Sequence, residues 1–208
     1  YGTIAGVSNY VGQGSHAEGI STQALADGSH AEGSGTTVTI DGIYAHVEGY
    51  GVQVQGIASH GEGWMTNIAK NSDYSHVEGY GSSTLTGIVC HSEGYYNLAE
   101  GNYSHAQNAN NITSGIASHV GGSGNTVQGW CSFIHSIGSS IQPHPSGSVG
   151  SSNVILGGQN NIITGNSINS TVVLGGSNIA ATLSNTVYVD RKSTRLNSSH
   201  TDITRMPS

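Results

Sequence analysis

Short bursts in which small apolar and polar residues alternate recur along the first two thirds of the chain, separated by glycine-containing turns. Each burst reads as a strand. In Ser15-His16-Ala17-Glu18, strand alternation places Ser15 and Ala17 on one face and His16 and Glu18 on the other. The residue between the histidine and the next polar position is Ala17, Ala31, Val47, Gly61, Val77, Ser92, Ala106 or Val120. All are small, as a narrow interior requires. A second apolar position ahead of the histidine, for example Val54, Leu85, Leu98 and Ile112, suits the opposite wall of a roll. Helix is excluded by the glycine and β-branched content.

The bursts keep a register. Histidines stand at His16, His30, His46, His60, His76, His91, His105, His119 and His135, with steps of 14 to 16 residues. Two residues after them come Glu18, Glu32, Glu48, Glu62, Glu78 and Glu93, then Gln107, Gly121 and Ile137. The position after that is glycine or asparagine, residues that tolerate positive φ in a turn. Fixed-period self-similarity marks a solenoid, whose units must stack to bury a face. The expected fold is all-β, a parallel β-solenoid of 14–16-residue coils with two short strands per coil. Successive coils should advance by ~4.8 Å, so nine give a stack of roughly 40 Å.

The pattern changes at the Pro/Gly break 142–147, so the chain divides into a His-x-Glu-Gly solenoid at 1–141, the break, and a more apolar strand-rich segment at 148–189. There Val154-Ile155-Leu156-Gly157-Gly158 recurs as Val172-Val173-Leu174-Gly175-Gly176. From Asp190 the text loses its glycine turns, and Asp190–Ser208 resembles one reading frame of a DNA-sequencing adapter. It is set aside as a non-native tail.

Composition narrows the function. The chain has 208 residues, 35% apolar content, 32 glycines and 8% charged residues, with Phe133 its only phenylalanine. A large globular core is not expected, and neither is charge-driven disorder. Of the five basic residues only Lys70 precedes Asp190; against ten carboxylates it leaves that body with a formal charge of −9. Such a surface does not suit nucleic acid. Cys90 and Cys131 lack metal-ligand spacing and are expected as buried free thiols. No stretch approaches the ~20 apolar residues of a membrane span, so no membrane insertion by this segment is expected. The chain starts at Tyr1 without a charged-then-apolar leader, and is expected to be a soluble fragment.

Ser-His-Ala-Glu-Gly at 15–19 and 29–33, Ala-His-Val-Glu-Gly at 45–49 and Ser-His-Val-Glu-Gly at 75–79 resemble the head repeats of YadA-like trimeric autotransporter adhesins. Similar repeats occur in phage tail-fibre proteins. The resemblance covers residues 1–138 and implies a left-handed parallel β-roll, three chains side by side as a homotrimer, and attachment to a host cell-surface glycan or protein receptor. It also implies a place on the cell exterior or the virion. The segment 175–189 looks like the end of fibre regions that precede a trimerisation or self-cleaving chaperone domain.

Several chemistries were weighed against this structural role. Serine beside histidine cannot form a hydrolase pair, because neighbouring strand residues point to opposite faces. Recurring glutamates lack the two distinct environments of a glycosidase, although a polysaccharide-degrading spike with an inter-subunit site is the alternative from another class. No catalytic residue and no cofactor are assigned. His-x-Glu puts a nitrogen and a carboxylate on one face; a ladder of stacked imidazoles bonded to carboxylates is favoured over a metal site. If those imidazoles were charged, pairing would raise histidine pKa values, and stability would peak at mildly acidic pH. Tyr50, Trp64, Tyr80 and Tyr95, four residues after consecutive histidines, form a candidate ligand-facing aromatic stripe, with turn packing between coils as the plainer role.

Overall fold

The computed structural model describes residues 12–142, 150–165 and 167–189. The tail at 190–208 and most of the proline segment lie outside them. The described residues form twenty-three short strands and no helix. Odd-numbered strands, from β1 (His16–Ile20) to β23 (Val187–Val189), make one twelve-stranded sheet; even-numbered strands, from β2 (Gln23–Ala24) to β22 (Ala180–Ala181), make a second of eleven. Every strand pairs in parallel with its counterpart one coil away, as in His16↔His30 and Ala24↔Val38. The chain is thus a parallel β-solenoid of about eleven coils.

The same two sheets run across the proline segment. β17 (Phe133–Ile137) pairs with β19 (Val154–Gln159), and β18 (Ser140–Ile141) pairs with β20 (Ile162–Ile163). Both sheets therefore continue from the strands before the segment to those after it.

The interior is two columns wide. Ala31, Val47, Val77, Ala106, Val120, Ile134, Ile155 and Val173 line one wall; Ala24, Val38, Val54, Ile68, Ala99, Val127, Ile141, Ile163 and Ala181 line the other. Their sizes are matched across the gap. A Cβ on Gly61 would lie 2.7 Å from Val54 Cγ2, so the larger residue on one wall requires the smaller one opposite.

Two polar columns close the corners. Asn97, Asn111 and Asn125 are buried, and each Oδ1 accepts the backbone N–H of the residue one coil on: Asn111, Asn125 and Ser139, at 2.7–2.9 Å. The Asn111 amide donates back to Gln107 O and Gly122 O at 2.6 and 2.8 Å. At the other corner Ser59, Ser75, Ser118 and Ser132 do the same with hydroxyls, accepting the N–H of Ser75, Cys90, Ser132 and Asn153. Backbone groups at a corner face no sheet partner, and these side chains satisfy them.

Three expectations are corrected. Of the second-wall set only Val54 points inward; Leu85 and Ile112 are exposed and Leu98 is half-buried. Thr84, Ala99 and Thr113 occupy the interior instead. Alternation was assigned one residue out of phase in those coils, which moves a side chain to the other face. Cys90 is buried, but Cys131 is exposed, standing at a turn with φ 48°.

His135 does not continue the histidine column. His119 pairs with Phe133, and Gly121 with His135. The shift by two residues seats Ile134 in the wall, where it is fully buried, and Ser132 in the serine corner. Keeping His135 in the column would force Ile134 into that polar corner.

Candidate functional site

Eight histidines from His16 to His119 stand in one outward column of the first sheet, with ring centroids 4.6–5.0 Å apart. From His30 to His91 successive planes lie within 4° of parallel. Phe133 caps the column at 4.9 Å from His119. Strand spacing dictates the stacking, since identical residues one coil apart cannot be further apart than the sheet allows.

Beside the histidines runs the glutamate column. Its floor is the glycine that follows each glutamate, with φ of 99–118° from Gly19 to Gly79. A Cβ on Gly33 would lie 2.1 Å from Gly49 O, so the glycine positions of this column admit no side chain. Glu18, Glu32, Glu48, Glu62, Glu78 and Glu93 therefore line a continuous groove of about 1130 Å³ with those glycines and Asn108. His135 stands further along the same column, followed by Leu156, Leu174 and Val189.

The carboxylates act mainly on one another's protonation. Hydrogen bonds shared with Glu78 and Glu48, then burial and their like charge, push Glu62 up to about 7. Sharing with Glu48 likewise raises Glu32. The partners move the other way: Glu48 is lowered by bonds from Glu62 and Glu32, and Glu78 by the bond from Glu62. Raised and lowered groups alternate along the groove, as expected where like charges in a row share protons.

Three of the imidazoles are shifted towards the neutral form. Burial first, and neighbouring imidazoles second, lower His60, His105 and His119. At these three positions charged imidazoles paired with the glutamates are disfavoured. Among the described residues one imidazole–carboxylate hydrogen bond forms, His105 Nε2 to Glu93 Oε1 at 3.3 Å. The His16–Glu18, His30–Glu32, His60–Glu62 and His76–Glu62 approaches are 3.6–4.0 Å, beyond hydrogen-bond reach. Consequently the buried Nε2 atoms of His30, His46, His60, His76, His91 and His119 have no hydrogen-bond partner.

On the far rim of the groove Tyr50, Trp64, Tyr80 and Tyr95 pair through isolated parallel bridges, one per coil. Tyr50 stacks on Trp64 at 4.2 Å, Trp64 on Tyr80 at 6.3 Å and Tyr80 on Tyr95 at 5.4 Å. The rings pack between coils yet stay 40–50% exposed. Tyr96, not singled out from sequence, stands edge-on to Tyr80 and Tyr95. A second exposed set, Tyr44, Tyr74 and Tyr103, occupies left-handed turn positions at the opposite end of the strand, with φ of 57–60°. Its signal was present as Tyr-x-His at 44–46, 74–76 and 103–105.

The serines preceding the histidines face inward and bond to backbone, as Ser29 Oγ does to Ala26 O at 2.6 Å. No protein-family model and no curated protein matches this chain.

Proposed function

We propose that the chain is a structural and adhesive module: part of a stiff fibre shaft or head, of a phage tail fibre or a bacterial surface adhesin, that meets a host cell-surface glycan or protein receptor. The carrying observation is the row of four stacked, half-exposed aromatic rings set by a rigid β-solenoid along one edge. Flat rings at fixed spacing offer a large contact area at low entropic cost, which suits sugar rings and protein surfaces.

A left-handed, side-by-side homotrimer is part of the same proposal. It is supported by the thin interior, which buries little apolar area per coil, and by the outward face of the first sheet beyond the histidines. There Leu156, Leu174, Val187 and Val189 are 40–60% exposed in adjacent columns. An apolar strip of this kind favours a covering partner, and a second and third copy of the chain would supply it.

The test is binding of the chain to arrays of surface glycans and to intact cells, compared with Trp64→Ala/Tyr80→Ala. Binding that falls at least tenfold in the double variant supports an aromatic contact surface. Equal binding by both proteins refutes it, and release of reducing ends from capsular glycan would favour the spike. Sedimentation of a stable monomer at micromolar concentration would exclude the trimer.

A further inference from the structure

The groove holds imidazole nitrogens without a hydrogen-bond partner beside a row of carboxylates, of which Glu93 alone bonds an imidazole among the described residues. Three groups of side chains bring their ligating atoms within 4.8 Å of one another without sharing a residue: Glu32, His46 and Glu48; Glu62, His76 and Glu78; and His91, Glu93 and His105. In each, the polypeptide supplies three donors and the open side of the groove leaves room for water.

We infer that these three groups are sites for divalent transition-metal ions of the zinc class, so that one chain carries three ions in a row along the groove. The donor set selects the metal. Imidazole with carboxylate suits zinc, cobalt or nickel, whereas magnesium and calcium prefer oxygen alone.

Two independent observations carry the assignment. Nε2 of His46, His76 and His91 is buried and has no hydrogen-bond partner, an arrangement that wastes a polar atom unless something binds its lone pair. The geometry is also close to that of a filled site. Ligand bonds of about 2.0–2.2 Å in a tetrahedron put neighbouring donors about 3.3–3.6 Å apart. His105 Nε2 and Glu93 Oε1 are 3.3 Å apart, and His76 Nε2 and Glu62 Oε1 are 3.9 Å apart.

Charge sets the stoichiometry. Each of the first two sites joins one dication to two carboxylates and is neutral. A fourth group, Glu48, His60 and Glu62, uses a carboxylate from each of those sites. Filling it as well would put ions on successive coils, whose imidazole centroids are 4.8 and 4.9 Å apart, without adding negative charge. The middle site therefore stays empty when its neighbours are filled.

The probe is Zn²⁺ alone, titrated into the full chain by equilibrium dialysis in a large excess of Mg²⁺, with Co²⁺ absorption as a report on imidazole–carboxylate coordination. Three ions per chain are expected, with two in Glu62→Gln, two in Glu93→Gln and one in the double variant. Glu18→Gln keeps three. Gln107 already stands in the same column, so the amide is compatible with the fold. Unchanged stoichiometry in the double variant, loss of zinc to Mg²⁺, or no zinc bound would each overturn the assignment.

Discussion

Replacing Glu62 by glutamine tests the electrostatics of the groove most directly. Glu62 stands between Glu48 and Glu78 and holds its proton up to about 7, against an ordinary 4.5. Such a displacement corresponds at face value to about 3 kcal/mol. The side chain is 30% exposed, and solvent screening reduces the effect to roughly 1–2 kcal/mol. The sign follows from proton linkage. The folded chain binds the Glu62 proton more tightly than the unfolded chain, so its contribution is fully present below 4.5 and is lost as pH rises through 7. Glu62→Gln removes the cost of ionisation. The variant should match the parent near pH 5 and exceed it at pH 8 by that 1–2 kcal/mol, or about 2–8 °C in melting temperature for a chain of this size. The assay is thermal unfolding of both proteins from pH 5 to 8 in EDTA, which keeps metal out of the groove, at low and high salt. High salt should narrow the gap. His60, His105 and His119, lowered by burial, withdraw stability as pH falls below 6.5. They do so in both proteins, so the difference isolates Glu62. Superimposable curves, or a less stable variant at pH 8, would refute the shared-proton account.

Four further outcomes test the fold by equilibrium unfolding and labelling. Gly63→Ala places a Cβ 2.2 Å from Gly79 O at φ +103° and should cost at least ~3 kcal/mol. Gly51→Ala, at φ +63° with nothing nearer than Met65 Cγ at 3.5 Å, should cost only about 1 kcal/mol. Asn125→Ala deletes donors to Gly121 O and Ser136 O and the acceptor of Ser139 N–H, and should cost about 2–4 kcal/mol. A thiol reagent should label Cys131 at once and Cys90 only on unfolding; equal rates would mean that the turn at 131 is covered.

The period, the parallel stacking of identical residues and the inward set Ala31, Val47, Val77, Ala106 and Val120 were legible in the sequence. These follow from local rules, since alternation and positive-φ glycines act within a few residues. Tertiary structure decided what depends on the neighbouring coil. Phe133 displaced His135 from the histidine column because burial of Ile134 and the serine corner outweigh the likeness of two histidines. Thr84, Ala99 and Thr113 face inward in place of Leu85, Leu98 and Ile112, because the phase of each strand is set by its pairing with the neighbouring coil. The glutamates were legible as a row, but not their choice of partner. Coil spacing brings carboxylate to carboxylate, while 3.6–4.0 Å separates most of them from the imidazoles, and a repeat read in one dimension contains neither distance.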